Sequence, residues 1–267
     1  MKSVYYCAAL IGSALQSLIA GTNIVSRPVE IFEDRVPGVW LAVGREADRL
    51  PRRSLVGLFN WEDTEKRIAV PIVKLGLANA GTCIAFDFRS NALTPSFQDR
   101  LVCTLPPQAC AMLAVRPVLD RPQLIATSRH ITQGLLDVVE ERWDAATCTL
   151  SGVSETVAGD RYELRILTCT SGCPARTFVV DSAGITGANG YELTIAPGDG
   201  VVARPDDAYA NANTPDAPIT TLYEPTVEDG RLVRIAFTSG SGGTITWRVT
   251  FSERTRTPPA AGRSRTP

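Results

Sequence analysis

Between residues 57 and 134 the chain is broken into short apolar runs, each stopped by proline, glycine or a cluster of acids. Proline cannot donate to a β-ladder, so runs of five to eight residues between such stops suit strands and exclude long helices. The run LVGLFNW at 55–61 ends in Glu62, Asp63, Thr64 and Glu65, and Arg67, Ile68, Ala69 and Val70 begin the next. Two β-prone runs around a short polar turn predict a hairpin. In CIAFDF (83–88), Ile84, Phe86 and Phe88 fall on one face and Asp87 on the other. The run at 101–105 stops at Pro106 and Pro107, and the run at 110–115 closes at Arg116 and Pro117. Many short strands at regular spacing predict a sandwich or barrel.

After Val118 the rhythm continues. Asp120, Arg121 and Pro122 form a linker, and further strands are predicted near 124–126, 135–139, 147–150, 154–157, 162–167, 176–180, 191–195, 200–203, 232–237 and 244–251. Ser239, Gly240, Ser241, Gly242 and Gly243 read as the turn of a closing hairpin. A phosphate-cradling glycine loop would need a helix after it. Here Ile245, Trp247 and Val249 alternate as a strand instead. Residues 205–218 read as a long exposed loop. Residues 254–267 hold four arginines and no acid and are expected to be a disordered tail.

A net charge of −1 supplies no basic footprint for nucleic acid. Of the seven cysteines, Cys169 and Cys173 are spaced to bridge a turn. The single histidine, with no second close cysteine pair, gives no basis for a four-ligand zinc site. At the N-terminus, Lys2 and the apolar stretch 4–20 admit a secretory signal peptide. They also admit a packed helix stopped by Gly21, which is the reading preferred here. The stretch is too polar for a transmembrane helix.

The LFNW run, the Leu105-Pro106-Pro107 run leading to Cys110, and their order along the chain resemble a known family. They are similar to the C-terminal β-sandwich region that follows the catalytic barrel in α-galactosidase-like glycoside hydrolases (the clan of families 27, 31 and 36). The resemblance runs over about residues 26–180; beyond them it rests on GGTITWRVTF. It implies a bacterial carbohydrate-metabolism protein in which the N-terminal helix is the end of a barrel and residues 26–33 are the linker. A barrel of eight strand–helix units takes about 250 residues. This chain spends its length on β runs, so the catalytic barrel is absent and the chain reads as a fragment.

Glycoside hydrolysis ordinarily needs two carboxylates roughly 5–9.5 Å apart. In the resembled family both belong to the barrel, so no catalytic residue is carried over. Asp63, Asp87, Asp137 and Asp144 read as solvated turn or strand-face residues. His130 lacks the serine or cysteine nucleophile that a triad requires, and reads as a loop residue. Trp40 and Trp247 fall inside strands and belong to a core. Trp61 and Trp143 end strands beside acids, where an indole face can stack on a sugar ring. These two are the candidate carbohydrate-binding residues.

The expected fold is all-β: two sandwich-like antiparallel β units, a short N-terminal helix and a disordered tail. The expected divisions are 1–35 (barrel-end helix and linker, or signal segment), 36–118 (first sandwich), 119–253 (second sandwich) and 254–267 (tail). The expected function is a non-catalytic portion of an α-galactosidase-like glycoside hydrolase, itself inactive. Its partner would be the catalytic (β/α)8 barrel of the parent hydrolase, which it braces. The alternative is a free-standing carbohydrate-binding β-sandwich module. No cofactor, metal, nucleic acid or membrane partner is expected, and the compartment is open.

Overall fold

The computed structural model describes residues 26–29, 36–44, 50–129, 132–168, 176–187, 192–195, 222–224, 232–239 and 242–255. In chain order the first strands are β1 (Ser26–Pro28), β2 (Val39–Val43), β3 (Ser54–Phe59), β4 (Lys66–Pro71), β5 (Cys83–Asp87), β6 (Ala92–Leu93), β7 (Arg100–Leu105) and β8 (Cys110–Pro117). Then come β9 (Gln123–Thr127), β10 (Val138–Asp144), β11 (Thr149–Thr156), β12 (Arg161–Leu167) and β13 (Arg176–Thr186). The last are β14 (Glu192–Ile195), β15 (Leu222–Glu224), β16 (Leu232–Thr238) and β17 (Gly243–Thr255).

The strands form four sheets. A six-stranded sheet has the order β1-β2-β3-β8-β5-β6, and β4 pairs with β7 alone. A four-stranded sheet has the order β15-β16-β12-β9, and a five-stranded sheet the order β10-β11-β17-β13-β14. Three apolar clusters lie between these sheets. Val56, Leu58, Val70, Leu101 and Leu113 pack the β4–β7 pair onto the six-stranded sheet. Leu55, Ile84, Phe86, Ala114, Ile125 and Leu167 join the six- and four-stranded sheets. Leu164, Ile166, Ile235, Leu150, Trp247 and Val249 join the four- and five-stranded sheets. The layers therefore stack in the order pair, six, four, five.

This layering explains the burial patterns. A sheet with one solvated face alternates, whereas a sheet covered on both faces reads as a continuous apolar run. All six residues of β3 are buried, and six of the seven in β12. In the outer layers β4 and β11 alternate.

Two expectations are corrected here. The all-β class holds, but two sandwich units give way to a multi-sheet stack among the described residues. Each middle sheet buries one face against the other and the second against an outer layer, so their shared core leaves no two separate sandwiches. Among the described residues there is no α-helix; the only helical turn is the 3-10 turn Ile72–Leu75. The expected N-terminal helix falls in residues 1–25, outside the described residues, as do His130, Cys169, Cys173, the loop 205–218 and the tail beyond Thr255. The hairpins predicted at 60–65 and 239–243 are the second correction. β3 and β4 belong to different sheets, as do β16 and β17. The polar segments carry the chain from one layer to the next because their flanking strands find better partners far along the sequence.

Candidate functional site

Trp61 lies where the chain leaves β3 and crosses to β4. Its indole is half-buried. One face lies parallel on Phe59, with centroids 5.2 Å apart and planes 9° apart. Its Nε1–H donates to the Pro37 carbonyl at 3.1 Å. Phe59 is a core residue, so the ring is held from beneath and along one edge. What remains exposed belongs to the surfaces that Phe59 leaves uncovered.

Asn60 holds this rim together. It is fully buried, and its Nδ2 lies 2.8 Å from Thr64 O, 3.1 Å from Leu105 O and 2.8 Å from Pro106 O. Its Oδ1 accepts from the Glu62 N–H at 3.0 Å. A buried amide must be satisfied in this way to avoid its desolvation cost. The LFNW and LPP runs, distant in sequence, are thereby tied to each other. Gln108 completes the rim from the β7–β8 turn: its Nε2 donates to Trp61 O at 2.7 Å and to Asp63 Oδ1 at 3.2 Å. Gln108 has φ 52°, a left-handed turn conformation. Glu62, Asp63, Thr64 and Glu65 are all exposed beside the ring, and Lys66 Nζ pairs with Glu62 Oε1 at 2.7 Å. The site is thus an anchored aromatic surface bordered by hydrogen-bonding side chains.

Trp143, near the end of β10, is placed differently. It is half-buried, edge-on to Phe178 at 5.8 Å and tilted against Phe251 at 6.2 Å. Its ring packs against the core between the four- and five-stranded sheets. The structure does not bring it together with Trp61: Trp61 follows β3 of the six-stranded sheet, and Trp143 lies in β10 of the five-stranded sheet. Trp247 is fully buried, as its strand position implies.

The carboxylates serve the fold. Asp87 accepts from Arg89 N and Ser90 Oγ in the turn after β5, and Asp144 accepts from Ala146 N. The hydrogen bond from the Ala146 N–H, then that from the Thr147 hydroxyl, hold the Asp144 carboxyl below its usual range. Asp137 departs from the solvated reading: it is only 6% exposed. It accepts from Tyr162 OH at 2.7 Å, Thr127 Oγ1 at 2.8 Å, the Gly134 N–H at 3.0 Å and Thr132 Oγ1 at 3.3 Å. Burial, then the Asp137 charge, push the Tyr162 hydroxyl well above its ordinary range. Glu163 pairs with Arg165 at 2.7 Å and Arg234 at 3.0 Å. The Arg165 guanidinium also covers the Phe86 ring at 4.5 Å, which binds the four-stranded sheet to the six-stranded one.

Sequence reasoning missed a further buried cluster. Glu141 Oε2 takes Arg53 Nη2 at 2.6 Å and Arg116 Nη1 at 3.0 Å, and its Oε1 takes the Leu124 N–H at 3.1 Å. Arg116 also donates to Leu124 O, and Arg53 to Gly134 O. Three sheets meet here: Arg53 immediately precedes β3 and Arg116 lies in β8, both strands of the six-stranded sheet, while Leu124 comes from the four-stranded and Glu141 from the five-stranded. Burial alone would raise the Glu141 pKa, but Arg116 and Arg53 outweigh it and hold the carboxyl below its ordinary value. Burial, chiefly, pushes Arg116 down to about 10. A carboxyl depressed in the folded state stabilises the fold above its unfolded pKa and loses that contribution as pH falls through the folded value. The urea midpoint is therefore expected to fall in acid, below the ordinary carboxylate range, and Glu141→Gln should flatten that fall.

Both oxygens of Glu141 are occupied by donors from the protein itself, so it is not poised to protonate or attack a substrate. Among the described residues no three His, Cys, Asp or Glu side chains are grouped to hold a metal. Cys83, Cys103 and Cys148 are free thiols, and burial raises the first two. Among the described residues no helix is long and apolar enough to cross a membrane.

No family model and no curated protein matches the chain. Solved structures that resemble it include the following two. One is the isomalto-dextranase of Arthrobacter globiformis T6 complexed with panose, at 14% identity and TM-score 0.27. That match covers 89% of this chain and 41% of the other, so the chain spans about two-fifths of the dextranase's length. The other is a cupin 2 conserved barrel domain protein from Leptotrichia buccalis, at 6% identity and TM-score 0.20, covering 85% of this chain and 96% of that one. The likeness is weak and partial. At such scores neither structure carries an argument about what this chain does.

Proposed function

We propose that this chain is a carbohydrate-binding β-module without catalytic residues of its own, and that Trp61 is its main sugar platform. The observation that supports this is the anchoring of the indole: Phe59 beneath it, Pro37 O on its edge, and Asn60 fixing the segment on either side. A pre-positioned aromatic face loses little conformational freedom on binding, and sugar rings present a C–H face that stacks on it. Glu62, Asp63 and Gln108 stand at the border to hydrogen-bond sugar hydroxyls. Trp143 is the second candidate platform, although its ring is shared with Phe178 and Phe251.

The test is affinity electrophoresis of the full chain through galactomannan, with starch and dextran gels for comparison. Trp61→Ala should weaken retardation by about tenfold or more, as expected for a central aromatic contact. Trp143→Ala should change it less. Equal mobility of wild type and Trp61→Ala in every gel would remove the proposal. Bracing of a catalytic (β/α)8 barrel, the role implied by the family resemblance, rests on the sequence runs alone. We take it as the setting in which such a module would work.

A further inference from the structure

A cavity of about 10 Å³ lies between the six- and four-stranded sheets, beside the Glu141 cluster. Leu55, Ile125 and Leu135 wall one part of it, and Arg53, Arg116 and Gln133 another. These last three are each at least nine-tenths buried. Each carries one buried polar atom without a hydrogen-bond partner: Arg53 Nε, Arg116 Nε and Gln133 Oε1. Three residues with such atoms lining one cavity are uncommon, because leaving a buried polar group unpaired is costly. Ser54 Oγ is also unpaired. Ser54 also lines the cavity, but alternation along β3 turns its side chain away from that of Leu55, so its Oγ is not counted in the set.

We infer that this cavity is a binding site for a single structural water. The chemistry of the three atoms selects it. Two guanidinium N–H groups offer hydrogens and one amide oxygen asks for one, and water can accept two bonds while donating another. The volume is about that needed for one water and no more. A small anion would suit the two N–H groups but not Gln133 Oε1. The amide cannot turn its NH2 inward, because Gln133 Nε2 already donates to Met112 O at 3.1 Å. The backbone also commits this residue: Gln133 has φ 46°, and its N–H donates to Arg129 O at 3.0 Å. The water would join the turn before β10 to β3 and β8, closing the polar cluster from the side opposite Glu141.

The deciding experiment is a high-resolution crystal structure of the full chain, with a second crystal soaked in sodium bromide and measured at the bromine absorption edge. The expected result is one density peak within hydrogen-bond reach of Arg53 Nε, Arg116 Nε and Gln133 Oε1, with no anomalous signal. An anomalous peak there would make it an anion site and overturn the inference, as would no peak at all. In solution, oxygen-17 relaxation dispersion should count one fewer long-lived water in Ala114→Val, which narrows the cavity, than in the wild type. An unchanged count in a folded variant would also overturn it. If that variant does not fold, the crystal measurement decides.

Discussion

Glu141→Ala should destabilise the chain by about 3–5 kcal/mol, read as a lower urea midpoint with the slope preserved. The size follows from what remains behind. Arg53 and Arg116 are 5% and 2% exposed, and both face the same carboxylate. Removing it leaves two cations in a poorly solvated seam and frees the Leu124 N–H as well. Removing one partner of a buried pair costs far more than the pair contributes over an apolar replacement. Glu141→Gln should fall between wild type and Glu141→Ala, because the amide keeps one acceptor while losing the charge. A loss below 1 kcal/mol for Glu141→Ala would mean the seam is open to water.

Trp247→Ala is the second large effect, about 3–5 kcal/mol by the usual cost of deleting a buried aromatic side chain. Trp247 sits in β17, the middle strand of the five-stranded sheet, opposite Gly152 on one side and Ile185 on the other. It is fully buried, and its Nε1–H donates to Ser154 Oγ at 3.0 Å. Gly152 leaves room for the ring: a Cβ there would stand 2.2 Å from Trp247 Cζ2 and 2.3 Å from Glu140 O. The small residue and the large one are therefore a matched pair. Gly152→Ala should also destabilise, and Trp247→Ala should relieve only part of that, since the clash with Glu140 O is with backbone. A thermal-melt double-mutant cycle reads the coupling.

Much of the strand content was legible from local punctuation. Pro106 and Pro107 follow the end of β7, and Pro117 is the last residue of β8, because proline has no N–H to carry a ladder onward. Pairing was not legible. Residues 60–65 and 239–243 look like hairpin turns, yet the strands on either side join different sheets. β3 pairs with β8, and β4 with β7, across tens of residues. No local pattern encodes a partner that distant. The unbroken LVGLF of β3 did hold a clue, since burial on both faces removes alternation and marks an inner sheet.

The site divides in the same way. Trp61 and its acidic neighbours can be picked from sequence, but the residue that organises them cannot be ranked by type. Asn60 is polar within an apolar run, which is the available signal; that it bridges two distant motifs emerges only in three dimensions. Glu141, Arg53 and Arg116 lie 88 and 25 residues apart in their pairings. As single charges in or beside β runs they resemble solvated edge residues. Asp137 looks the same in sequence, and its burial comes from Tyr162 and Thr127 closing over it.

The central claim is that sugar stacks on Trp61. Its most direct test is a nitrogen-15 NMR titration of the full chain with galactomannan oligosaccharides, following the four tryptophan indole N–H signals. The Trp61 signal is expected to shift, with the Glu62 and Gln108 resonances, while the buried Trp247 signal stays in place. A titration that leaves Trp61 unmoved while other residues shift would contradict it.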